Sequence, residues 1–188
     1  MSRQAGSDWA DSTTAIRKVA SCRQIGYNRK NPISEAELMD DQALQPIYNY
    51  RRISDRIGTS GMPTEAQLGD IARVGFEIVI NLDQLDSRHA LPDERAAVEA
   101  TGMTYRQIPV VWEHPTHENL ADFFAAMAQY ADKLVFVHCV ANYRATIFTT
   151  LYGILRLDWP REEALNRLLQ MWQPNEIWQQ FIESELSE

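Results

Sequence analysis

The chain has 188 residues, of which 45% are hydrophobic and 23% charged, a balance that suits one globular domain with a sizeable core. Its net charge of -8 argues against a broad nucleic-acid footprint, which needs a basic surface, and no apolar run reaches membrane-spanning length. Two cysteines, Cys22 and Cys139, are too few for a disulfide framework, and the N-terminus lacks the apolar segment of a signal peptide, so a cytoplasmic protein with reduced thiols is expected, with no nucleic-acid or membrane partner.

Residues 1–45 are polar and weakly periodic, and read as a peripheral N-terminal arm ahead of one domain over 46–188. Within the arm, Pro32 and the pair Ser34 and Glu37 could start a short helix by a capping box. From about residue 50 the pattern sharpens. "RISDRIGTSG" predicts a short strand and a turn. Thr64 then opens a helix, with Gln67 at the capping-box position and Gly75 at the stop. "FEIVINL" (76–82) is rich in β-branched residues and predicts a buried strand. A helix over 91–102, again stopping at a glycine, a strand over 103–111 and an amphipathic helix over 117–131 follow. "KLVFVHC" (133–139) predicts a strand that runs into Cys139, and the mostly apolar 145–157 a buried helix. Pro160 breaks it, and two further helices complete the chain, with Trp159, Trp172 and Trp178 expected to pack between them.

Strands alternate with helical crossovers, which predicts an α/β fold: a central, mostly parallel sheet of four to five strands flanked by helices. Ligands of such sheets bind beyond the C-terminal ends of the strands. Cys139 stands at one such end, directly before a helix N-terminus. Loop amides over 140–145 and the positive end of the helix would stabilise an anion there, and the thiolate is the nucleophilic form of cysteine. The same cradle suits a tetrahedral oxyanion, of which Arg144 can grip two oxygens at once. His138 is expected to hold the loop by hydrogen bonds. A lone cysteine is commonly a small core hydrophobe, the reading kept for Cys22 beside that of a surface thiol. For Cys139, the strand end, the preceding histidine and the following arginine favour function.

"HCVANYR" (138–144) resembles the signature of the cysteine-dependent phosphatases, the protein tyrosine and dual-specificity superfamily: His-Cys, five variable residues, then Arg. Here four residues, 140 to 143, separate Cys139 from Arg144. The usual mid-loop glycine is replaced by Asn142 or Tyr143, and the residue after the arginine is Ala145, with Thr146 next. "GTSGMPTEAQLGDIARVGFEIVINL" and "LPDERAAVEATGMTYRQIPV" are similar to a bacterial dual-specificity-like branch that was once a domain of unknown function, some members of which carry the short loop. The resemblance covers roughly residues 47 to 160.

That resemblance implies a metal-independent, cofactor-free phosphomonoester hydrolase acting on a phosphorylated protein or small molecule. Cys139 is the implied nucleophile, and Arg144 with the loop residues Val140, Ala141, Asn142, Tyr143 and Ala145 the phosphate cradle, supported by His138 and Thr146. The Thr146 hydroxyl has two available partners, the thiolate and its own helix backbone. Tyr143 either shapes the pocket rim or packs under the loop. The general acid of such enzymes, usually an aspartate, lies on the loop that is here "VVWEHPTHEN". Glu113 is the first candidate, with His114, His117 and Glu118 as substitutes. Asp83 and Arg88, at another strand end, could face the pocket, but a solvated loop is the expectation for both. The short Cys-to-Arg gap also looks like the rhodaneses, whose cysteine carries a persulfide. A phosphate-binding protein without turnover is the third reading, supported by the missing aspartate and glycine. The histidines and cysteines show no metal-ligand spacing. Oligomeric state is not encoded in any feature of the sequence.

Overall fold

The computed structural model describes residues 41–84 and 86–187. Cys22, Pro32, Ser34 and Glu37, with the arm up to residue 40, lie outside the described residues. A 3-10 turn, Asp41–Leu44, precedes β1 (Arg51–Arg52) and β2 (Ile57–Ser60). Then come α1 (Glu65–Arg73), β3 (Ile78–Asn81), α2 (Glu94–Ala100), β4 (Thr104–Gln107), α3 (His117–Gln129) and β5 (Val135–His138). Three helices end the chain: α4 (Tyr143–Arg156), α5 (Arg161–Met171) and α6 (Glu176–Glu185). The fold is α/β, with a five-stranded sheet in the order β1-β2-β5-β3-β4. Only the β1–β2 hairpin is antiparallel.

The local signals explain the boundaries. Thr64 Oγ1 accepts from the Gln67 amide and Gln67 Oε1 accepts from the Thr64 amide, the reciprocal box the sequence predicts. Gly75 and Gly102 end their helices at φ +102° and +88°, a conformation that favours glycine. "RISDRIGTSG" holds the end of β1, a turn and all of β2, so two short strands meet where one was expected. β4 is shorter than the expected 103–111 strand. Pro109 has no amide to give, and the ladder continues past it only through Ile108 to Asn81 and Val110 to Leu82. The buried helix starts at Tyr143 rather than 145, which puts Tyr143 and Arg144 in its first turn.

Alternation along the strands divides the core. Ile78, Ile80, Val135 and Val137 face α3 to α6, where Phe123, Phe148, Leu151 and Trp178 are buried. Val79 and Phe136 face α1, α2 and the 3-10 turn, with Leu44, Leu68, Ile71 and Val98. Each such buried side chain contributes roughly 1.5–3 kcal/mol over exposure. Between the two layers, the last residues of the four parallel strands fall in one row: Ser60, His138, Asn81 and Gln107. All four are polar, and this row is the floor from which the site rises.

Candidate active site

Cys139 follows β5 and is 1% exposed. Together with Val140, Ala141, Tyr143, Arg144 and Trp112 it lines a cleft of about 220 Å³ beyond the C-terminal edge of the sheet. The loop is held from both sides. Its outer support is the end of β2: the Cys139 amide donates to the Ser60 carbonyl at 3.4 Å, and the Met62 amide donates to the Val140 carbonyl at 3.1 Å. Gly61 pairs with Ala141, and a side chain at 61 would meet the Val140 carbonyl.

Asn142 answers the question of the missing glycine. Its φ is +70°, the left-handed region, and asparagine is one of the few non-glycine residues that visits it readily. Its side chain donates to the Asn49 carbonyl at 2.7 Å and to Thr59 Oγ1 at 3.0 Å, and Asn49 returns a bond to the Ala141 carbonyl at 3.1 Å. No side chain caps α4. The first-turn amides of Tyr143, Arg144 and Ala145 therefore have no carbonyl partner within the helix and form a positive helix end beside Cys139. The Thr146 hydroxyl donates to the Asn142 carbonyl at 2.7 Å, so of its two expected partners the helix backbone is the one it takes.

Arg144 is buried but anchored. Nη2 donates to Asp83 Oδ1 and Nη1 to the Val110 carbonyl, each at 2.7 Å, while Nε is buried without a partner. Asp83 is thus not on a solvated loop as the sequence suggested. It is 2% exposed, because it caps the end of β3 beneath Arg144. Arg88 is exposed, as expected. His138 is fully buried, with Nε2 2.7 Å from Glu94 Oε1, a close contact without the alignment of a hydrogen bond. Glu94 also accepts from Asn81 at 2.5 Å and from Tyr105 at 3.2 Å. Burial would raise the Glu94 carboxyl, but attraction to His138 and these hydrogen bonds outweigh it and hold the group below its ordinary value. Burial and then the Glu94 charge push the Tyr105 phenol up. Gln107 completes the network, bonded to the Tyr105 hydroxyl and the Asp83 carbonyl.

The rim is aromatic. Tyr143 stacks on Trp172 at 4.3 Å and 16°, and Trp112 lies 6.3 Å from Tyr143 and 5.8 Å from Trp172. Trp172 thus serves the rim, whereas Trp178 packs in the core and Trp159 lies against Gly153 of α4. Glu113 and His114 are exposed on the turn that follows Trp112 and do not line the cleft. His117 lies 3.0 Å from Glu185. Glu118 is held below its ordinary value first by a backbone hydrogen bond at the start of α3 and then by Thr116, which makes it a poor proton donor near neutrality. Among the described residues no group of three or more His, Cys, Asp or Glu side chains could hold a metal ion, and no helix is long and apolar enough to cross a membrane. Sequence reasoning missed Glu94, Tyr105 and Gln107. For Gln107 the signal was a polar residue closing each parallel strand, whereas Glu94 on α2 and Tyr105 within β4 carried none.

No family model matches the chain. A crystal structure of a phosphatase candidate of the DUF442 family from Shewanella putrefaciens CN-32 is 34% identical, with a TM-score of 0.73, over 78% of this chain and 97% of that one. The catalytic core of the PP-IP phosphatase SIW14 of S. cerevisiae shares the fold, at TM-score 0.63 and 16% identity over 73% of this chain and 85% of that one. In Xylella fastidiosa, a beta-lactamase hydrolase-like protein is 28% identical over 115 residues, 60% of this chain. The match spans only 26% of the length of that relative.

Proposed function

The chain belongs to the DUF442 family and has the fold of the cysteine phosphatases, and on that premise we propose that it is a metal-independent phosphomonoester hydrolase with Cys139 as its nucleophile. The observation that carries the reading is one cleft in which Cys139, an uncapped helix N-terminus and Arg144 converge. In the first step the Cys139 thiolate attacks phosphorus. The S–P bond forms as the P–O bond to the leaving group breaks, and Glu113 gives its proton to the departing oxygen. In the second step water attacks the phosphocysteine, its proton passes to the Glu113 carboxylate, and phosphate and thiolate separate. The amides of 140–145 and the free donors of Arg144 stabilise the equatorial oxygens, a contribution of roughly 3 kcal/mol per aimed donor in comparable sites. His138, gripped by Glu94, fixes the strand end from which the nucleophile projects. Glu113 stands exposed one residue beyond Trp112, outside the cleft walls, on the loop that Arg144 ties down at Val110, and its role requires that turn to close over the bound ester.

One observation favours a second reading. The loop has four residues between Cys139 and Arg144, and the arginine charge is already offset by Asp83. A loop this short also suits a sulfurtransferase, in which the thiolate attacks the outer sulfur of thiosulfate, sulfite leaves, and the persulfide passes its sulfur to cyanide. The two are separated by assaying the purified protein and Cys139→Ser on p-nitrophenyl phosphate with chelator present, and on thiosulfate plus cyanide. Phosphate release lost in Cys139→Ser, and reduced about a hundredfold in Glu113→Gln, is the expected result. Thiocyanate formation without phosphate release would overturn the phosphatase reading in favour of sulfur transfer.

A further inference from the structure

Asp83 is a buried carboxylate that the steps above do not use. It stands two residues beyond β3, and its Oδ1 accepts from Arg144 Nη2 at 2.7 Å and from the Gln84 amide at 2.9 Å. Oδ2 is buried with no hydrogen-bond partner. The Arg144 guanidinium lies directly against this enclosed carboxylate, so the two form a buried ion pair.

The arginine gains two things from the pair. A guanidinium carries five N–H donors in one plane. Asp83 takes one and the Val110 carbonyl another, which leaves three, on Nε, Nη1 and Nη2, with the plane already fixed at two points. An oxyanion entering the cleft meets a pre-set fork, and little side-chain entropy remains to be lost on binding. The field changes as well. Among the residues lining the cleft, Arg144 alone is formally charged, beside Trp112, Cys139, Val140, Ala141 and Tyr143. With Asp83 against it, the cleft is close to neutral before the thiolate forms.

We propose that Asp83 is a positioning residue for phosphoryl transfer, fixing Arg144 for the transition state while its charge limits how tightly the cleft holds the phosphate product. The inference rests on the phosphatase reading, and it predicts opposite effects on binding and turnover. A residue that merely supported the fold would weaken both together.

The test is Asp83→Asn, which keeps the shape and removes the charge, beside Asp83→Ala. Calorimetric titration with inorganic phosphate reads the first effect, and kcat and KM for p-nitrophenyl phosphate read the second. Melting temperatures report folding. For Asp83→Asn, inorganic phosphate should bind about tenfold tighter, since a negative charge near the anion is gone. kcat should fall about tenfold, because a neutral carboxamide oxygen holds the Arg144 guanidinium less firmly than a carboxylate does. Asp83→Ala should lose more kcat. Phosphate affinity that is unchanged or weaker in a folded Asp83→Asn protein overturns the proposal, as does an unchanged kcat. If the wild-type protein turns over no phosphate ester but binds phosphate, the phosphatase reading fails and the titration still decides the charge effect. If neither the wild type nor the variants bind phosphate, both fall.

Discussion

At position 142 the backbone demands one conformation and the loop demands one side chain. A φ of +70° disfavours most L-residues by about 1–2 kcal/mol, glycine excepted. The carboxamide meanwhile stitches the loop to Asn49 and Thr59. Glycine would satisfy the first demand and alanine neither. Asn142→Gly should therefore cost about 1–2 kcal/mol of stability through the lost buried hydrogen bonds, and Asn142→Ala about 1 kcal/mol more. Urea unfolding of the three proteins checks the order, and equal losses for Gly and Ala would mean that the backbone conformation is not what selects asparagine. The sequence showed the departure from the glycine at this loop. Its meaning became legible only with φ in hand, because a single asparagine in a polar loop has many other uses.

Whole elements reach the site through their ends. The "SG-P-T" stretch that carries part of the family resemblance has a concrete role: Ser60 accepts from the Cys139 amide, and Gly61 lets β2 close on the loop. A Cβ at 61 would lie 2.8 Å from the Val140 carbonyl and 2.7 Å from the Tyr48 ring. The exposed tyrosine can swing away, but the carbonyl can move only with the loop. Gly61→Ala should lower kcat/KM at least about tenfold, with a melting shift of only a few degrees, about 1 kcal/mol. Gly69→Ala in α1, where nothing lies within 4 Å of the added atom, is the control and should leave activity alone while gaining about 0.5–1 kcal/mol. Equal kinetics for the two variants would remove Gly61 from the account of the loop. The capping box at Thr64 and the stops at Gly75 and Gly102 were readable locally, since each is a short-range pattern with a single geometric solution.

Across the molecule, one buried polar network joins the elements. It runs from His138 on β5 to Glu94 on α2, through Asn81 and Tyr105 on β3 and β4, then by Gln107 to Asp83 and Arg144. The residues around Cys139 were legible because they are contiguous in sequence. This network was not, because its partners meet only in the fold: Asp83 and Arg144 are 61 residues apart, and loop carboxylates are ordinarily solvated. Glu94 makes the network testable by pH. Its carboxyl is held below the ordinary 4.5 in the folded protein, so it binds protons less readily folded than unfolded. Its contribution to stability is therefore complete above about pH 4.5 and is lost as pH falls through the lower folded value. Glu94→Gln removes the charge that faces His138 while keeping an oxygen for Asn81 and Tyr105. It should lose about 2 kcal/mol at pH 7, and its melting temperature should fall less steeply than that of the wild type between pH 5 and pH 3. The difference between the two proteins must narrow as the acid range is entered. If the two curves instead run parallel through that range, Glu94 is not the acid-sensitive link between β5 and α2, and the stability of the strand end that carries Cys139 has another source.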